Sequence, residues 1–433
     1  MGRVSVARAA AMQPNERRTL ALICAGHFMS HFWSITLPAL FTVLSVVFDV
    51  NFVQLGLLMT VFSITNALFQ IPCGYVVDRY GPKWILVAGI LVDATAFAAC
   101  AIAPNYLTLL ILMLVAGAGQ AVFHPADYAI LSALFPKERS GKTYAVHTFM
   151  GFSGGAAAPA IVAGLASVFN WQVALVATGL AGGAVGVLIA ILMHAPERAP
   201  AHVPAVATTG AARKRRLAGV GSMLSRTLLL LFGFYIFSSM FMSGAQSFLP
   251  STLTALFEMP NNTANLLLTT LLAAMAFGVL VGGVFADRIE DQSRLVGGCM
   301  LAGTIFMVLI ALFRLPIWSL FIVLAAAGLV QGAISPSRDK LVRDAAPEGS
   351  TGTSFGFVSV GLSVGGIIAP LLLGAFLDHG NAVIVFWSLA AFTLIAMVMV
   401  LIPGTPAAAS RSDDAGHGPA AATTRPGAGA RGR

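Results

Sequence analysis

Apolar residues run along this chain in stretches of about twenty or more, separated by short polar turns that carry glycine, proline or charge. A helix of that length crosses roughly 30 Å of hydrocarbon. The pattern predicts twelve spans, at about 19–47, 52–78, 83–103, 106–134, 142–168 and 171–194, then 227–257, 262–287, 294–314, 317–345, 351–378 and 382–403. No ten-residue alternation of a membrane β-barrel is present, so helices must satisfy the backbone internally. The expected organisation is an N-terminal tail at 1–18, a six-helix bundle at 19–194, a linker at 195–226, a second six-helix bundle at 227–403 and a disordered tail at 404–433.

The polar punctuation repeats. Gly74-Tyr-Val-Val-Asp78-Arg79 after span 2 returns as Gly283-Val-Phe-Ala-Asp287-Arg288 after span 8. Pro38 and Pro250, Pro125 and Pro336, Asp127 and Asp339, and Pro159 and Pro370 match in the same register, at offsets of 209 to 212 positions. Five landmarks in step make the chain two copies of one membrane unit, an all-α polytopic protein of two pseudo-symmetric six-helix bundles.

Composition agrees. Charged residues are 10% of the 433, hydrophobic ones 58%, and mean hydropathy is +0.86, where a soluble chain carries roughly a quarter charged residues. The net charge of +8 raises nucleic acid as a partner, but its placement excludes that reading. Of 25 Lys and Arg, 23 fall in the tails, the even-numbered loops or the adjoining helix ends. That asymmetry follows the positive-inside rule and places both termini in the cytoplasm. The run Arg213-Lys214-Arg215-Arg216 in the linker suits anionic lipid headgroups. Cys24, Cys73, Cys100 and Cys299 lack metal-type spacing and read as packing residues. The basic N-terminus has no signal-peptide cleavage pattern, so the first apolar run is an uncleaved helix.

Six plus six spans, a central linker and the turn Gly74, Asp78, Arg79, Gly81, Lys83 resemble the major facilitator superfamily over roughly residues 19–403. The stretches around His27 and His31, His124-Pro-Ala-Asp127 and Pro336-Ser-Arg338-Asp339 resemble a proteobacterial branch grouped with fosmidomycin-resistance-type exporters. The resemblance implies a fold of parallel repeats around a midplane site, with spans 1, 4, 7 and 10 lining the cavity. It further implies a gating role for Gly74, Asp78, Arg79, Gly81 and Lys83 and for the second copy, Asp287, Arg288 and Arg294. There the Asp78 carboxylate would accept from amides at the start of span 11. Two departures stand out: Met113 replaces the family's span-4 arginine, and the span-5 signature is only Gly155-x-x-x-Pro159.

Ionisable groups inside a membrane face a cavity or one another, and are functional by default. His27 and His31 share one face of span 1 at i, i+4. They could exchange protons near neutral pH, bind a transition metal, or simply hydrogen-bond at a helix interface. No Cys or Met cluster accompanies them, so no metal site is assigned. His124 and Asp127 in span 4, His147 in span 5, Arg338 with Asp339 in span 10 and Asp93 in span 3 are the remaining charges at depth, with Gln120 and Gln246 as neutral partners. The substrate and proton pathway is therefore expected among His27, His31, Gln120, His124, Asp127, Gln246 and Arg338. Asp127 and Arg338 each lie 21 positions into pseudo-symmetric spans, so an ion pair between them could close the cytoplasmic side. The local alternative for Asp339 is an i, i+4 pair with Arg343.

Gly151-Phe-Ser153-Gly-Gly155 spells a serine-hydrolase elbow, but the stretch lies inside an apolar helix. No nucleotide-binding loop is present. The expectation is a secondary active transporter of a bacterial inner membrane, with no cofactor and no catalytic residue, working as a monomer among membrane lipids. Proton-coupled efflux of small, partly apolar compounds is the first reading. Proton-coupled uptake of a small organic anion is the second; a transporter-like sensor and an intramembrane hydrolase are remote.

Overall fold

The computed structural model describes residues 12–135, 137–194, 225–347 and 351–402; side chains at 137–142, 287 and 351–353 are excluded. The C-terminal tail and residues 195–224 of the expected linker, with Arg213–Arg216, lie outside the described residues, while Arg226, expected at the linker's end, opens a helix. Among those described there are helices and no strands.

Twelve helical spans are long and apolar enough to cross a membrane: Pro14–Val47, Phe52–Tyr80, Pro82–Cys100, Tyr106–Leu134, Thr143–Val168, Trp171–Leu192, Arg226–Phe257, Asn261–Ala286, Gln292–Leu312, Ile317–Ala345, Ser354–Asp378 and Ala382–Leu401. They are numbered 1 to 12 below. Span 1 begins earlier than the apolar pattern predicts, so residues 14–18 are helix rather than tail. Pro14 sits at the first helical position and the Glu16 carboxylate accepts from the Gln13 amide at 2.8 Å, an arrangement that suits a helix start.

Spans 1 to 6 pack among themselves, as do spans 7 to 12, through the pairs 1 with 5, 2 with 4, 3 with 6, and 7 with 11, 8 with 10, 9 with 12. Glycines allow the close approaches. A Cβ on Gly154 of span 5 would stand 2.0 Å from the Phe28 carbonyl oxygen of span 1.

The two halves differ where the repeat predicts equivalence. Span 1 is interrupted after Leu37 by a 3-10 turn at Pro38–Leu40 before the helix resumes at Phe41. Span 4 is two helices, Tyr106–Gln120 and Phe123–Leu134, meeting at Ala121 and Val122 just before Pro125. Their counterparts run unbroken through Pro250 and Pro336. Proline removes one amide and crowds the preceding turn, and whether the helix then opens depends on its packing.

The hydrogen bonds that join the halves gather toward one face. We call the face with Pro14, the turns near residues 81 and 289, and Leu401 the terminal face. Among the described residues, every hydrogen bond between halves lies toward the other face. Thr42 donates to Asn261 at 2.9 Å, Asn265 to the Ala39 carbonyl at 3.2 Å, Thr60 to the Ile367 carbonyl at 3.0 Å, and the Ala160 amide to Thr269 at 3.1 Å. The main apolar core crosses this seam, with Phe41 against Phe248. A second core, including Leu228, Phe234, Val296, Leu341 and Val358, belongs to the second half alone and sits toward the terminal face. The halves are therefore joined by hydrogen bonds and a shared core toward one end, and Phe149 and Phe277 still meet across them nearer the terminal face, with ring centroids 6.3 Å apart.

Candidate functional site

Span 1, the second helix of span 4 and span 5 bring four histidines and one carboxylate together. Asp127 is fully buried, and its Oδ2 accepts from His147 Nε2 at 2.9 Å. His27 Nδ1 lies 3.4 Å from the same oxygen, and the His27 ring stacks on His147 with centroids 3.8 Å apart. His31 and His124 lie edge-on to His27 at 4.8 and 5.5 Å. His27 and His147 are buried, His31 is half-buried and His124 is exposed, so the cluster grades from the helix interior outward. Aromatic neighbours extend it: Tyr128 stacks on His124 at 5.8 Å and meets Tyr144 at 5.4 Å.

Local sequence explains the fit. The i, i+4 spacing aims His27 and His31 the same way. Gly151 leaves them room, since a Cβ there would stand 2.6 Å from His27 and 2.9 Å from His31. The break before His124 frees the second helix of span 4 to set its own rotation, and Asp127 follows one turn later. Gln120 closes the first helix and donates to the Ser30 carbonyl at 3.2 Å, tying spans 4 and 1 together.

The cluster leaves buried polar atoms without partners among the described residues: His27 Nδ1, Asp127 Oδ1 and His147 Nδ1. Such atoms cost about 1–3 kcal/mol each when nothing satisfies them.

The other expected pathway residues stand apart. Gln246 is half-buried in span 7. Arg338 Nε donates to Asp339 at 3.0 Å, and its guanidinium sits 5.0 Å over the Tyr235 ring. Tyr235 donates to Asp339 at 3.4 Å. Asp127 and Arg338 are thus engaged with their own halves and not with each other in this conformation. Asp339 pairs with its neighbour Arg338 rather than with Arg343.

At the first charged turn, Gly81 caps span 2 with φ of 89°, a conformation that favours glycine. Asp78 is exposed and has no hydrogen-bond or ion-pair partner among the described residues. The expected contact with span 11 is not made in this conformation. Arg79 lies over Tyr80 at 5.5 Å and Lys83 over Trp84 at 4.9 Å. Gly74 is half-buried. In the second copy Arg288 is exposed, Arg294 pairs with Asp291 at 3.0 Å, and the Asp287 side chain lies outside the described residues. Lys340 of span 10 reaches the Ala286 carbonyl at 3.2 Å, a fastening that the first copy lacks because its matching residue is Tyr128.

Two further expectations are settled by geometry. Ser153 lies within a continuous helix and donates to the Phe149 carbonyl at 2.8 Å, so no nucleophile elbow exists. Asp93 faces neither the cluster nor a hydrogen-bonding neighbour. It is fully buried beside Gly119, and both carboxylate oxygens lack partners. Sequence reading named His147 but gave it no place in the pathway, and it missed Tyr235; an isolated tyrosine deep in an apolar helix was the available signal.

The family model described as Major Facilitator Superfamily matches residues 22–256 and 231–429. The fosmidomycin resistance protein of Escherichia coli K12 is 23% identical over 416 residues, covering 92% of this chain and 96% of that protein. A multidrug resistance protein, MdtH of Aeromonas salmonicida, is 25% identical over 341 residues, covering 76% and 79%. A bacterial homologue of the human lysosomal transporter Spinster, solved inward-facing and unoccupied, superimposes with TM-score 0.75 at 16% identity over 95% of this chain and all of that one. With twelve spans, a repeated charged turn and a model match along nearly its whole length, the chain belongs to the Major Facilitator Superfamily and is a membrane transporter, not an enzyme.

Proposed function

We propose that this transporter works by alternating access in a bacterial inner membrane and exports small, partly apolar compounds in exchange for protons. The carrying observation is the Asp127–His147–His27 cluster, buried in the first half and edged by His124 and His31. It is an ionisable group set that a coupling ion could reach from the gap between the halves. Two resistance proteins among the relatives support export. The charge asymmetry of the sequence supports a cytoplasmic terminal face.

Uptake of an organic anion is the second reading. It draws on Arg338 and on a hexuronate transporter of Bacillus subtilis, 30% identical over 123 residues. Arg338 already has Asp339 as counter-ion at 3.0 Å, so its charge is less available to an anionic cargo. Export is favoured on that ground.

Asp78 and its turn are proposed to bias the balance between states rather than to touch substrate, since the turn lies at the terminal face. The test is transport in proteoliposomes with an imposed pH gradient, screened over a panel of apolar and anionic compounds. Movement of a cargo that follows the gradient and is lost in Asp127→Asn supports the reading. Movement indifferent to the gradient removes proton coupling, and a panel of anions alone favours the second reading.

A further inference from the structure

The geometry points to a binding site for a divalent first-row transition ion at His27, Asp127 and His147. Each of the three offers one ligand atom, and these atoms lie within 4.8 Å of one another. His27 Nδ1 and His147 Nε2 stand 3.4 and 2.9 Å from one Asp127 oxygen. In tetrahedral coordination with metal–nitrogen and metal–oxygen bonds of about 2.0–2.1 Å, neighbouring ligand atoms are about 3.3 Å apart. The His27–Asp127 separation matches that edge, the His147–Asp127 separation is shorter, and all three atoms lie within 4.8 Å, so small side-chain adjustments would close the shell.

Hydrogen bonding alone leaves the arrangement unfinished. One proton joins His147 to Asp127, but His27 Nδ1 faces the same oxygen with no hydrogen bond, and Asp127 Oδ1 has none either. A cation among these atoms would satisfy the unpartnered His27 nitrogen and the carboxylate together. Two imidazoles and one carboxylate, with no thiolate among the ligands, select a borderline ion of the Zn2+, Co2+ or Ni2+ class. His31 and His124, at 4.8 and 5.5 Å from the His27 ring, stand at the edge from which a fourth ligand would come. The exposed His124 marks the entry side. Sequence spacing offered only the His27–His31 pair; the fold supplies the other two ligands.

This inference takes the carrier reading as its frame but rests on ligand geometry, and its test involves no transport. Full-length protein with a tag free of histidine is purified in detergent, stripped with a chelator and titrated with Co2+. Bound metal is read by mass spectrometry and by visible ligand-field absorption. One Co2+ per chain is expected, displaced by Zn2+. Affinity should fall by more than about tenfold in His147→Ala and in Asp127→Asn, since losing even an outer-shell partner costs that much. His379→Ala, an exposed histidine remote from the cluster, should bind as wild type. If the variants fold poorly, X-ray absorption on the Co2+-loaded wild type must show imidazole scattering. Absent stoichiometric binding, binding indifferent to both variants, or a shell without imidazole each overturns the site. None of these outcomes touches gradient-driven transport, which the proteoliposome assay reads separately.

Discussion

The Asp378 carboxylate, at the end of span 11, accepts from the Phe52 and Val53 amides at the start of span 2, at 2.6 and 2.9 Å. Free amides and the helix dipole make a helix N-terminus a favourable place for an anion. Here the anion comes from the opposite half, so the bond exists only while that face is closed. Asp378 is exposed, and an exposed charge at a helix end contributes about 0.3–1 kcal/mol, which corresponds to a population change of about two- to fivefold. Asp378→Ala should therefore shift the carrier by that factor toward the state open at this face. Spin-label distances between spans 2 and 11 would read the shift; unchanged distance distributions would refute the role.

Gly154 is where spans 1 and 5 touch most closely. Gly154→Ala places a methyl group 2.0 Å from the Phe28 carbonyl oxygen, and backbone cannot yield as a flexible side chain can. A cost of about 1–3 kcal/mol is expected for such overpacking. The melting temperature in detergent should fall, whereas Gly164→Ala, with open space around it, should leave it unchanged.

Asp93 gives the opposite expectation. Its carboxyl group is buried without a partner among the described residues, so removing its polarity relieves a cost of about 1–3 kcal/mol. Asp93→Leu should keep or raise the melting temperature if the added volume fits beside Gly119. A marked loss of both stability and transport, not recovered in Asp93→Asn, would mean that an acid is required there.

Orientation has a direct test. Cysteines at Ser225 and at the turn residues Asn105 and Asn381 should divide by side in intact cells, with 225 protected from impermeant reagents and the other two labelled. External labelling of 225 would reverse the assignment of the terminal face.

The number of spans and the internal repeat were legible because hydropathy and punctuation act locally. The cluster was legible only in part. His27 with His31 follows from helix periodicity, but joining His147 to Asp127 requires knowing how spans 4 and 5 are rotated about their own axes. Chain pattern does not encode that rotation; Gly151 and the interruption at Ala121 and Val122 set it. The Arg338–Asp339 pair was not legible for a similar reason, because adjacent residues on a helix ordinarily diverge and Tyr235 from another span holds the guanidinium within reach of Asp339.

The interruptions of spans 1 and 4 have a mechanical consequence. Pro38 follows His31 by two turns, and the other joint lies immediately before His124, while the second half has no such joints at Pro250 and Pro336. The first half thus carries two joints beside its ionisable cluster where the second half has continuous helix. Bending at the span-4 joint would carry His124 and Asp127 relative to His27, so whatever occupies the cluster is felt as a torque on the backbone. Ligand and hinge share one degree of freedom.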